Sequence, residues 1–96
     1  MGKYEIIFIV KATIESNLIT KTGDNFKGLF NDKKSQVLEF KNLGEKKFAY
    51  PIKKELNGYY FLLQVETNPE TIKEFNRKIA IDDNVLRHLV IKLDEE

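Results

Sequence analysis

The segment Tyr59–Thr67 constrains the fold most, because its side chains alternate at the period of a β-strand. One face would carry Tyr59, Phe61, Leu63 and Val65, and the other would carry Tyr60, Leu62, Gln64 and Glu66. Asn57-Gly58 comes just before it, and both residues tolerate a positive φ. The sequence therefore predicts a hairpin whose turn lies at Asn57-Gly58 and whose return strand is Tyr59–Thr67.

Three other segments have strand character. Residues 4–10 are β-rich and predict a strand buried on both faces. Residues 36–43 predict a second strand, which Gly44 interrupts with a bulge or bend before the pattern resumes. Pro51 cannot donate to a strand ladder, so this segment predicts an edge strand or a bulge site. Val85–Leu93 predicts the last strand.

Between the first two strands, a helical stripe indicates a first helix, which Thr13 or Ser16 could cap. The apolar residues of that stripe are Leu18, Ile19, Phe26, Leu29 and Phe30. Glycine costs about 1 kcal/mol relative to alanine inside a helix. We therefore expect this helix to be irregular near Gly23.

The second helix has a clear start at Asn68-Pro69-Glu70, which supplies a cap, a proline at the first helical position and an acid near the positive dipole end. Its buried stripe would be Ile72, Phe75 and Ile79, and Asp82-Asp83-Asn84 would break it. The order β-α-β-β-α-β predicts an α+β, ferredoxin-like fold: a four-stranded antiparallel sheet with two helices on one face. We expect residues 1–96 to form a single domain.

Composition narrows the class of protein. The chain has no cysteine, so disulfides and thiolate metal sites are ruled out. The longest apolar run, Ile6–Val10, is far too short to span a bilayer, so no membrane role is expected. Net charge is only +1, which argues mildly against a nucleic-acid partner. The positive excess nevertheless lies before Tyr59, and the last three residues are acidic.

Catalysis has little support in the sequence. His88 is the single histidine and lies in a predicted strand beside Arg87, with no sign of a nucleophile elbow. Neighbouring strand residues point to opposite faces, so these two side chains could not act on one face together. Asp82-Asp83 lacks the spacing of a calcium loop. We predict no catalytic residue, no metal site, no cofactor and no small-molecule substrate.

Between Lys46 and Lys54, two pairs of lysines flank a segment that contains two aromatic residues. Lys46 and Lys47 precede Phe48, Lys53 and Lys54 follow Ile52, and Tyr50 lies between the two pairs. Phosphate contacts combined with base stacking would need such a pattern. Lysines that keep an edge strand from aggregating would give the same pattern, and the residues alone leave both interpretations open.

The stretch Gly44-Glu-Lys-Lys-Phe-Ala-Tyr-Pro-Ile-Lys-Lys54, followed by Gly58-Tyr59-Tyr60, resembles the bacterial small-subunit ribosomal protein six family. Tyr4–Val10 is similar to that family's first strand, and Asp82–Val90 to its closing segment. The resemblance implies a ferredoxin-like fold, no catalytic activity, and a place in the ribosome of the cytoplasm or of an organelle. It further implies binding to the central domain of small-subunit ribosomal RNA beside ribosomal protein eighteen.

The same resemblance suggests which residues contact RNA: Lys3, Tyr4, Tyr50, Lys53, Lys54, Arg87 and His88. The family usually has Asp-Trp-Gly-Arg-Arg where this chain has Asn42-Leu-Gly-Glu-Lys46, so an aromatic residue and a positive charge are replaced.

Two other functions fit the predicted fold. A ligand-binding regulatory domain has only the fold in its favour, and ligand-dependent thermal stabilisation without RNA would support it. An acylphosphatase-type hydrolase would need an anion-binding loop with an arginine after the first strand. Lys11-Ala-Thr-Ile14 contains neither arginine nor glycine, which argues against that activity.

Overall fold

The order of helices and strands is β-α-β-β-α-β, as predicted, in a computed structural model that describes residues 2–31 and 35–93. The elements are β1 (Gly2–Lys11), α1 (Ser16–Gly28), β2 (Gln36–Ile52), β3 (Glu55–Thr67), α2 (Pro69–Ala80) and β4 (Val85–Leu93). The strands form one antiparallel sheet in the order β2-β3-β1-β4, so β2 and β4 are its edges. The acidic residues 94–96 lie outside the described range. Neither of the two described helices has the length and apolar character needed to cross a membrane.

The hydrophobic core lies between the helices and one face of the sheet, which we call the helix face. The ring of Phe8 stacks on that of Phe61, with centroids 5.2 Å apart, and meets Phe26 edge-on at 5.6 Å. The opposite face, called the open face, carries neither of the two described helices. On β1 this open face is only partly covered, because Ile7 is half-buried although Ile9 is buried. The prediction that residues 4–10 are buried on both faces was therefore wrong in part.

The second helix begins and ends as its sequence predicts. The Oδ1 atom of Asn68 accepts a hydrogen bond from the Thr71 N–H at 2.8 Å, which caps the first turn, and Pro69 occupies the first helical position. The stripe Ile72, Phe75 and Ile79 is buried. The helix ends at Ala80 with Ile81 as its C-cap residue, and Asp82-Asp83-Asn84 then form a turn in place of another helical turn.

The first helix differs from its prediction at both features that the sequence suggested. Its N-cap residue is Glu15, and no side chain caps it. Ser16 is already helical, and the Thr13 hydroxyl donates instead to Glu55 at 3.4 Å. The helix is also continuous through Gly23. A Cβ at Gly23 would lie 2.8 Å from the Phe61 ring, so glycine is present for close packing against the sheet rather than for irregularity.

The hairpin between β2 and β3 turns at Lys53-Lys54, so the prediction of a turn at Asn57-Gly58 was wrong. Ile52 pairs with Glu55 across the two lysines, whose φ angles are 49° and 69°. Two consecutive positive φ values are the requirement of the tight turn that suits a hairpin best. This chain meets that requirement with two lysines, although asparagine and glycine adopt the conformation at lower cost.

Asn57 and Gly58 belong instead to β3. Gly58 is buried, and a Cβ on it would lie 2.4 Å from Cγ2 of Ile9 and 2.6 Å from Cζ of Phe48. The glycine therefore allows the Phe48 ring to lie directly against β3. The signal that predicts a turn is here a signal of close approach, a role that glycine also has in strands.

Candidate nucleic-acid interface

The end of the β2–β3 hairpin carries a basic segment, Lys46–Lys54, which we call the arm. It contains four lysines and no acidic residue. Register pairs stop at Lys47 opposite Asn57 and resume at Ile52 opposite Glu55. The four residues between them on β2 therefore face only Leu56 on β3. This bulge, together with the edge position of β2, confirms what Pro51 predicts.

A second irregularity lies earlier on the same strand, between Asn42 and Gly44. Gly44 has a φ of 91°, its N–H donates to Oδ1 of Asn42 at 2.8 Å, and the register shifts between these two residues. The bulge predicted at Gly44 is therefore confirmed. Bulges bend a strand and increase its twist, so two of them re-aim the end of β2 relative to the sheet.

The arm borders a groove of about 360 Å³ on the open face, called the arm groove. Its lining residues are Lys47, Phe48, Ala49, Tyr50, Pro51, Ile52, Tyr60 and Arg87. The rings of Phe48 and Tyr60 are tilted by 59° with centroids 6.3 Å apart. Tyr50 is 82% exposed, so nearly its whole ring is available to a partner. The groove therefore combines aromatic surface with two cationic residues, and none of the described residues that line it is acidic.

Tertiary structure adds Arg87 to this groove from the far edge of the sheet. On the open face, Tyr60 of β3 is opposite Ile9 of β1, which is opposite Arg87 of β4. Side chains opposite one another in a sheet share a face, so the three residues form one row across three strands. Two of the predicted contacts, Tyr50 and Arg87, thus line the same groove although they are far apart in sequence.

The acidic residues near the arm lie by a different depression, of about 410 Å³, which Lys54 also lines. Glu45 accepts a hydrogen bond from Nδ2 of Asn57 at 2.9 Å, and Glu55 accepts one from the Thr13 hydroxyl. Glu45 lines this acidic depression and is not among the residues that line the arm groove.

The predicted contacts near the start of the chain lie elsewhere. Lys3 is exposed on the open face, in the row of Glu66 and Leu93. It is six residues from Ile9 along β1, or roughly 20 Å at the usual rise of a strand. Tyr4 points to the helix face and is only 7% exposed. The core thus occupies the ring surface that stacking on a base would require.

His88 lies on the helix face of β4, opposite Phe8, whereas its neighbour Arg87 is on the open face. The sequence prediction that they occupy opposite faces is confirmed. Partial burial lowers the pKa of the His88 imidazole below its ordinary value, because burial disfavours the charged form. Across residues 2–31 and 35–93, no three histidine or acidic side chains are gathered in a way that could hold a metal ion.

An apolar patch adjoins the arm groove on the open face. It consists of the row Leu62, Ile7 and Leu89, together with Ile91 further along β4, and we call it the open-face patch. Leu89 is 55% exposed and Ile91 41% exposed, and both lie on an edge strand. These residues were not predicted as a contact surface. Their alternation with Arg87 along β4 was the signal that could have predicted it.

These features define a ferredoxin-like α+β protein whose open sheet face carries a basic, aromatic groove beside an apolar patch. Residues 3–92 match the family model described as ribosomal protein S6. The small ribosomal subunit protein bS6 of Phytoplasma australiense is 38% identical over 92 residues, covering 96% of this chain and 99% of the relative. That of Shouchella clausii is 38% identical over 96 residues and the full length of both. The chain therefore belongs to the ribosomal protein S6 family, which is a family of small-subunit ribosomal proteins and not of enzymes.

Solved structures agree on the fold. The crystal structure of 30S ribosomal protein S6 from Thermotoga maritima has a TM-score of 0.90 with this chain at 19% identity, covering 96% of this chain and 87% of the other. A second protein from the same organism, described as uncharacterized, has a TM-score of 0.59 at 17% identity. At these identities the likeness concerns the fold alone.

Proposed function

We propose that residues 1–96 act as one non-catalytic domain that binds the central domain of small-subunit ribosomal RNA together with ribosomal protein eighteen. Its place of action would be the ribosome of the cytoplasm or of an organelle. The observation that carries this proposal is the arm, with four lysines and no acid in nine residues of a nearly neutral chain. Proteins bind the phosphate groups of nucleic acids chiefly through such clusters of positive charge.

In this proposal the arm and the arm groove divide the RNA contacts. Lys53 and Lys54, at the exposed tip of the hairpin, bind phosphates. Tyr50 and Arg87 bind within the groove, where an aromatic ring and a planar guanidinium can contact bases as well as backbone. Lys3, roughly 20 Å away along β1, would contact a separate phosphate.

Ribosomal protein eighteen would occupy the open-face patch. The most exposed apolar side chains of that patch, Leu89 and Ile91, lie on the edge strand β4, so a partner can cover them without displacing a helix. Contiguous exposed apolar surface on a small protein often marks a protein–protein contact.

The proposed RNA and protein surfaces share a border. The row that contains Arg87 is next to the row that contains Leu89 on the same face of the sheet. A protein on the patch would therefore lie beside RNA in the groove and could contact it. In this proposal a chain of net charge +1 binds RNA well only when its partner protein is bound beside the groove.

Filter binding to a central-domain RNA fragment, with and without ribosomal protein eighteen, tests the RNA contacts. The variant Lys53→Ala with Lys54→Ala should bind more weakly and lower the slope of log K against log salt by about 1–2. Lys21→Ala with Lys73→Ala is the matched control, because these two exposed lysines lie on the helices. Absence of wild-type binding at low salt in the presence of the partner would contradict the proposal.

The protein contact has its own test. Leu89→Asp should abolish co-elution with ribosomal protein eighteen in size-exclusion chromatography, because it places a charge in the open-face patch. Ile81→Asp makes the same change at a side chain that is 74% exposed after α2, away from the patch, and should co-elute normally. Equal behaviour of the two variants would refute this docking surface.

A further inference from the structure

The arm groove has the dimensions and lining of a site for a small planar ligand. Its volume of about 360 Å³ lies at the lower end of the range in which proteins bind small molecules, roughly 300–1,000 Å³. Phe48 and Tyr60 contribute two rings tilted by 59°. Tyr50 stands free at the rim, and its exposed ring is supported by no other aromatic ring within the described residues.

The charged groups of the groove suit an anionic ligand. Lys47 and Arg87 line it, and the acids that adjoin the arm, Glu45 and Glu55, line the other depression. An aromatic ring, a guanidinium plane and a lysine together offer two stacking surfaces and a phosphate contact. Proteins that bind single-stranded nucleic acid use this combination, since every base has a π-face and every nucleotide a phosphate.

The backbone of the arm also contributes. The four residues Phe48–Pro51 have no register partner on β3, because β2 bulges there. Peptide groups near such a bulge are free of a regular ladder and can face a ligand.

These features favour an unpaired nucleotide over a duplex. In a duplex each base face is covered by its neighbours, so only phosphates and sugars would be available to the arm. An exposed tyrosine and a guanidinium beside a concave, aromatic groove gain their contacts only when a base is unstacked. The volume of the groove suits one nucleotide rather than a helix.

We propose that the arm groove binds one unpaired nucleotide of the RNA, with its base stacked on Tyr50 and Arg87 and its phosphate held by the lysines of the arm. This inference rests on the proposed RNA-binding function, to which it adds the kind of RNA element recognised. Gly58 is a positioning residue for the site, because only glycine allows the Phe48 ring to lie against β3.

Base-specific chemical probing of the complex of this protein, ribosomal protein eighteen and a central-domain RNA fragment tests the proposal. Wild-type protein should protect at least one unpaired base from modification. Tyr50→Leu should restore the reactivity of that base and weaken binding by about 5- to 100-fold, with the salt slope unchanged. Tyr50→Phe keeps the stacking ring and should behave as wild type, and Arg87→Lys, which keeps the charge but not the plane, should lose part of the protection.

The outcomes separate this inference from the proposed function. If wild-type protein fails to bind the RNA with its partner present, the proposed function fails and this inference with it. If wild type binds but Tyr50→Leu keeps its affinity and its protections, the nucleotide site is refuted while RNA binding stands. If Tyr50→Phe is as weak as Tyr50→Leu, the hydroxyl acts and stacking is refuted. Tyr50 is so exposed that the melting temperatures of its variants should match wild type, which makes loss of folding easy to recognise.

Discussion

Replacing Lys54 with glycine should make the protein more stable and a weaker RNA binder at the same time. Lys54 has a φ of 69°, in the left-handed region that costs an L-residue with a side chain roughly 1–2 kcal/mol. Glycine adopts this conformation without that cost, but loses about 0.5–1 kcal/mol more in backbone entropy when the chain folds. The expected net gain in the free energy of unfolding is therefore about 0.5–1 kcal/mol.

For a chain of this length, 1 kcal/mol shifts the melting temperature by roughly 4–8 °C, so Lys54→Gly should raise it by about 2–8 °C. Thermal unfolding followed by far-ultraviolet circular dichroism measures the shift, and urea unfolding measures the free energy. Lys46→Gly is the matched control. It removes the same side chain from a residue that pairs with Gly58, where glycine should destabilise the strand by about 0.5–1 kcal/mol.

The RNA assay supplies the second half of this prediction. Losing the Lys54 ammonium group should lower the slope of log K against log salt by about 1 when that group contacts a phosphate. Opposite changes in stability and in binding are the signature of local strain retained for function. A lower melting temperature for Lys54→Gly, equal to that of Lys46→Gly, would refute the view that this turn is strained.

Three further predictions concern packing, capping and protonation. Gly28→Ala should raise the free energy of unfolding, measured in urea, by up to about 1 kcal/mol, because its Cβ would meet nothing within 4 Å. Gly23→Ala should lower the same free energy by about 1–3 kcal/mol, because its Cβ would clash with Phe61. Equal effects of the two variants would contradict the packing argument. Asn68→Ala should cost about 1 kcal/mol by the same measurement, since it removes the cap of α2, and no loss would contradict that role. In an NMR titration His88 should show a pKa below its ordinary value of 6.5. Its contribution to stability is therefore full above pH 6.5 and is lost as the pH falls through the lowered pKa of the folded state. A measured pKa above 6.5 would contradict the inferred burial.

The parts of the fold that the sequence predicts well are those with local causes. The start of α2 is specified by a cap and a proline that act within one turn, and the bounds of β4 follow from its apolar run. The errors arose where one residue type has two uses. Gly23 and Gly58 are present because other side chains approach them closely, and such contacts between distant segments leave no local signal.

The candidate site shows the same division. The lysines of the arm and Tyr50 are evident in the sequence because they are neighbours along the chain. Arg87 lies near them only because β1 lies between β3 and β4 in the sheet. The alternation of apolar and polar residues along a strand does not predict this strand order. The Tyr4 ring is buried in the core, and a motif match could not predict this because it does not tell on which face of the sheet a residue lies.

The separation of charge explains why a net charge of +1 was a poor guide to partners. Net charge governs the long-range attraction that steers a protein toward RNA, whereas contact depends on charge within a Debye length, about 8 Å at physiological salt. The arm itself contains four lysines and no acid, whereas Glu45 and Glu55 adjoin its two ends and accept hydrogen bonds by another depression. A chain of this net charge should gain little from steering, and in the proposed function its partner protein would hold it at its site. In the proposed function, the basic groove would contact RNA and the adjoining apolar patch on the same sheet face would contact the partner protein.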